Sequence, residues 1–75
     1  MWILIEYNRQ SDSQSNHAIL HTHADLVQSV DNLLSCHAVA HAKLVMLPNE
    51  GMHPHKKIYP LVTSDTHDFY AQWMD

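Results

Sequence analysis

The sequence predicts an α+β domain in which one main amphipathic helix packs on a small antiparallel or mixed sheet of about three or four strands. Two observations predict it. An N-terminal signature at Thr22 and Asp25 opens a run with apolar residues at Leu26, Val27, Val30, Leu33 and Leu34, the spacing of a helix with one buried stripe. On either side of that run lie segments rich in β-branched and aromatic residues, the composition of strands. The length of 75 residues and a hydrophobic fraction of 45% limit the chain to one core and so to a single domain, residues 1–75.

Met1 to Asn8 alternates, with Ile3, Ile5 and Tyr7 on one side and Trp2, Leu4 and Glu6 on the other. Both sides are apolar over its first half, which predicts a central strand covered on two faces. Arg9 to Asn16 contains no apolar side chain, and its Ser, Asp and Asn residues offer local hydrogen bonds that compete with regular structure, so it reads as a loop. His17 to His21 either returns as a second strand or runs extended into the helix. Thr22 and Asp25 then form a capping box, with Asp in place of the usual Glu, and the helix is expected to break near His37. Leu44 to Leu47 is a β-leaning run ended by Pro48.

Pro48-Asn49-Glu50-Gly51 holds the chain's only glycine and is the strongest turn signal. Lys57 to Val62 reads as a strand, and Pro60 inside it removes a ladder donor, which places it at an edge or on a bulge. In the tail, Phe69, Tyr70, Trp73 and Met74 fall at helical spacing behind Ser64 and Asp65. A short C-terminal helix is the preferred reading and a final strand the alternative.

Four basic residues against eight acidic ones give a net charge of −4, and the only adjacent basic pair is Lys56-Lys57. A phosphate backbone needs a basic footprint, so direct nucleic-acid binding is not expected. With one glycine no glycine-rich phosphate cradle can be built, and Cys36-His37 are neighbours in sequence without the spacing of a catalytic pair. A non-enzymatic protein is expected. Cys36 is the only cysteine, so no intramolecular disulfide forms. The apolar opening Trp2-Ile3-Leu4-Ile5 is stopped by Glu6, far short of the ~20 residues of a membrane span. A cytoplasmic protein with no membrane partner follows as the expectation.

Eight histidines stand out. His21/His23 and His53/His55 are two apart and His17/His21 and His37/His41 four apart, spacings that present two imidazoles to one side of a strand or helix. A zinc or other divalent-metal site would use His21 and His23 with His53 or His55, and Asp25 or Asp65 as an oxygen ligand. The simpler reading is that histidine replaces the scarce Lys and Arg as a polar surface residue. The acidic and aromatic tail offers a different chemistry: Asp65, Asp68 and Asp75 surround Tyr70 and Trp73, residue types that anchor protein interfaces.

In size, mild acidity, glycine poverty and coarse topology, the whole chain resembles the small phage and mobile-element inhibitors of host machinery, the anti-CRISPR class among them. No motif carries that resemblance. It implies a binding protein without catalysis that blocks a basic, nucleic-acid-handling protein, and a homodimer is compatible with it. The alternative is a histidine-rich metal-binding or metal-sensing module. If the first holds, charge reversal at Asp65 or Asp68, or truncation at Tyr70 or Trp73, abolishes partner binding while His→Ala changes leave it intact; the metal reading predicts the reverse.

Overall fold

A computed structural model describes residues 1–35, 40–52 and 57–74. In chain order the elements are β1 (Trp2–Asn8), β2 (Ser13–Leu20), α1 (His23–Ser35), β3 (Lys43–Leu44), β4 (Ile58–Thr63) and β5 (His67–Trp73). The strands form one sheet in the order β2-β1-β5-β4-β3, with every neighbouring pair antiparallel. The α+β class holds, and the sheet has five strands where three or four were expected.

The helix starts where its signature placed it. The backbone N–H of Asp25 donates to Thr22 Oγ1 at 3.1 Å, and the N–H groups of Thr22 and His21 donate to Asp25 Oδ2, each at 3.2 Å. These reciprocal bonds satisfy donors at the start of the helix that no helical carbonyl reaches. Leu26, Val30 and Leu33 lie one and two turns apart and are all buried against the sheet. The expected break near His37 falls outside the described residues.

Three other segments differ from expectation. Ser13 to Asn16, read as loop, forms the first half of β2, pairing with Asn8 to Ile5. Its side chains are exposed, so the strand exists through backbone pairing rather than burial. Between Leu4 and Ile5 the register shifts against β2, leaving His17 as an extra residue between Asn16 and Ala18. Of the Leu44 to Leu47 run only Leu44 joins the sheet. Beyond it the N–H of Val45 still donates to the Leu61 carbonyl, at 2.7 Å.

The tail is the larger correction. Residues 67–73 are the strand β5, with β1 on one side and β4 on the other, and no C-terminal helix forms among the described residues. Phe69, Ala71 and Trp73 alternate with Asp68, Tyr70 and Gln72, and the first set turns to the helix side. β4 carries Pro60 beside a register shift that leaves Leu61 as the extra residue, the bulge its proline implied.

The core lies between α1 and one sheet face. Trp2 is its centre, 1% exposed, with its ring edge-on to Trp73 at 5.2 Å and to Tyr59 at 5.9 Å. It thereby joins β1 to both β5 and β4, and Leu4, Leu61, Phe69 and Ala71 pack around it. At the strand ends the Met1 amine donates to the Met74 carbonyl at 3.0 Å, and the Met74 N–H returns a bond to Met1 at 2.8 Å.

Among the described residues no buried side-chain polar atom other than the Tyr59 hydroxyl is without a hydrogen-bond partner. Tyr59→Phe is therefore expected to keep or raise stability in urea unfolding, because it removes a desolvated hydroxyl and leaves the ring. Leu26→Ala, at a position with no exposure, is expected to lower it by about 2–5 kcal/mol.

Candidate functional site: the open sheet face

The face of the sheet opposite α1 has no element packed on it among the described residues. Strand register sorts its residues into three rows: Ile19, Ile3, Gln72 and Ile58; Asn16, Ile5, Tyr70 and Pro60; Gln14, Tyr7, Asp68 and Thr63. An antiparallel sheet with one face in water ordinarily carries polar residues there. Here the middle of the face is Ile3, Ile5, Tyr7 and Tyr70, with Ile58 at 49% and Ile19 at 57% exposure on its flanks. Ile5, Tyr7, Gln14, Ile58 and Tyr70 line a shallow depression of about 280 Å³.

The alternation of β1 already placed apolar residues on both of its faces. The fact that sequence reasoning missed is that only one face receives the helix. Tyr7 and Ile58 thus join Tyr70 at the surface around a buried Ile5, whereas the tail composition draws attention to Tyr70 and Trp73. Trp73 lies on the other face, packed against Trp2.

One end of the open face is held by Arg9, which follows β1 directly. Its Nη1 donates to Asp68 Oδ1 at 2.6 Å and to the His67 carbonyl at 3.3 Å, and its Nη2 donates to the Ser64 carbonyl. The backbone N–H of Arg9 adds a bond to the Thr66 carbonyl at 2.9 Å. Arg9 therefore clamps the turn between β4 and β5. Desolvation raises the Asp68 carboxyl, but hydrogen bonds from Thr63 (2.6 Å) and Arg9, with the guanidinium charge, outweigh it and hold the group below the usual carboxylate range. Tyr7 donates its hydroxyl to Asp12 in the β1–β2 turn. That bond first, then partial desolvation and the Asp12 charge, raise the phenol above its ordinary value.

The remaining acids and histidines are distributed elsewhere. Asp65 is exposed and meets His41 Nδ1 at 2.5 Å. Glu6 lies on the helix side of β1, between His17 of β2 (Nδ1 at 3.3 Å) and His67 of β5 (Nε2 at 3.3 Å). Both imidazoles also lie 6.1 Å from the Phe69 ring, so this carboxylate sits among side chains of three neighbouring strands. His23 donates Nε2–H to the Pro48 carbonyl at 2.7 Å, and His21 is exposed. His53, His55 and Asp75 lie outside the described residues, which therefore neither assemble nor dismantle the sequence-predicted metal set. Among the described residues no group of three His, Cys, Asp or Glu side chains stands close enough to hold a metal ion. No helix is long and apolar enough to cross a membrane, again among the described residues.

Compared with protein-family models, with curated proteins and with solved structures, the chain matches none.

The Asp68 carboxyl has a lower value in the folded chain than in the unfolded one. Its stabilisation is therefore complete above the unfolded value and is lost as the pH falls through the folded value. Asp68→Asn is expected to destabilise the protein at neutral pH, with the difference from wild type shrinking as the pH is taken below 3.8, the ordinary carboxyl value. Unfolding midpoints across an acid series check it. A difference that stays constant with pH would show that Asp68 acts without its charge.

Proposed function

We propose that this chain is a non-enzymatic binding protein whose open sheet face docks a protein partner, and that it acts by occupying a functional surface of that partner. The observation that carries the reading is the apolar and aromatic middle of a sheet face where water-facing polar residues are the norm. Tyr70 and Tyr7 supply the amphipathic contacts that interfaces favour, and Ile58 and Ile19 are accessible beside them.

The charge of −4 favours a basic partner, and a protein that handles nucleic acid is the plainest source of a basic surface. A phage or mobile-element inhibitor of host machinery, the class the chain resembles in size and charge, needs nothing beyond such a surface. Direct contact with nucleic acid is disfavoured by the same charge. Asp68 enters this reading as a structural residue more than a contact, because its carboxylate is already engaged by Arg9 and Thr63.

A photo-crosslinker placed at Ile58 identifies the partner, and calorimetry then compares variants. Ile58→Glu and Tyr70→Ala are each expected to weaken binding by at least about tenfold, or about 1.4 kcal/mol, while circular dichroism shows an intact fold and His21→Ala binds as wild type. Loss of binding with His21→Ala and retention with both face variants would reverse the assignment.

A further inference from the structure

Resting on the assignment of the open face as the docking surface, we infer that its occupant is an amphipathic helix of the partner, with an apolar stripe flanked by basic side chains. The dimensions of the face argue for this. With strands about 4.8 Å apart and same-face residues about 6.7 Å apart, four strands and three rows span roughly 20 × 20 Å, on the order of 400 Å². That is about half of the ~800 Å² per partner that a standard protein–protein interface buries, an area that one helix can cover.

A second copy is a poor complement. It would bring another depression to meet the first, and another net charge of −4. An extended strand is no better matched, because strands add to sheets at an edge, through backbone hydrogen bonds, and here the apolar residues lie on a face. A helix is about 10–12 Å across and rises about 1.5 Å per residue, so roughly 13 residues cover the patch from end to end. The sheet already accepts such an object on its other side, where the 13-residue α1 seats Leu26, Val30 and Leu33. The depression beside Ile5 and Tyr70 gives one bulky apolar side chain of the incoming helix a seat.

Charge sets the flanks. The three rows contain no Lys or Arg, and the one carboxylate in them, Asp68, is neutralised by Arg9. Asp12 sits at the rim through its bond to the Tyr7 hydroxyl and has no basic partner among the described residues. A basic side chain beside the helix's apolar stripe therefore meets an uncompensated carboxylate.

Two labelled 14-residue peptides test this, both with leucines at helical spacing and with either lysine or glutamate at every other position. Fluorescence anisotropy against the whole protein is expected to show binding of the lysine peptide and at least tenfold weaker binding of the glutamate peptide. Ile58→Glu should abolish the first, and Asp12→Asn should weaken it by about two- to fivefold, an effect of surface-charge size. Tyr70→Ala provides a second face variant should Ile58→Glu fail to fold.

Absence of lysine-peptide binding, or binding that Ile58→Glu and Tyr70→Ala leave unchanged, overturns the inference. So does a dimer in sedimentation that Ile58→Glu dissociates, since the face would then belong to a second copy. If the peptides fail while the face variants still lose the cross-linked partner, the helix is wrong and the docking face stands. If those variants keep that partner, the docking face falls with the helix.

Discussion

One helix for a sheet with two apolar faces is the constraint from which the architecture follows. Strand β1 carries Trp2 and Leu4 on one side and Ile3 and Ile5 on the other, and a chain of 75 residues supplies a single long helix among its described residues. The helix goes to the side with the larger rings. There Trp2, Tyr59, Phe69 and Trp73 give the greater burial for each residue covered, and aromatic edges meet faces at distances that add to the area term. What remains without a helix among the described residues is the smaller apolar set, with Ile5 buried at its middle. The open face is thus a remainder of folding economy.

The scarce charges follow the same division. Arg9 is committed to the β4–β5 turn and Asp68, while Glu6 is committed to two imidazoles across three strands. Asp12, at the rim of the open face, is bonded to the Tyr7 hydroxyl and has no basic partner among the described residues.

Local chemistry was legible in the sequence wherever the signal and the structure share a scale of a few residues. The capping box at Thr22 and Asp25 closes within one turn, and the Pro60 bulge follows from one missing donor. β2 was illegible because Ser13 to Asn16 are polar on both faces, and the partner that makes them a strand lies across a turn. β5 was misread because Phe69, Tyr70 and Trp73 suit a helix stripe and a strand alike, and Ala71, a small residue at a fully buried position, did not register as part of a period of two. The open face was half legible: alternation in β1 gave its residues, but which face α1 would choose depends on packing across the whole sheet.

The placement of β5 bears on how the molecule reaches this state. Its neighbours are β1, whose Trp2 pairs with Trp73, and β4, so one side of the middle strand can be built only by bringing together segments from far apart in the chain. The β1–β2 hairpin can form early and alone, but it then presents Ile3 and Ile5 on one side, Trp2 and Leu4 on the other, and an unpaired β1 edge. Closing a loop of that length is entropically slow, and non-local topologies fold more slowly than local ones. Without β5 the hairpin would leave both apolar sides of β1 open, and the polar, exposed Ser13–Asn16 half of β2 is the part of it that needs no cover.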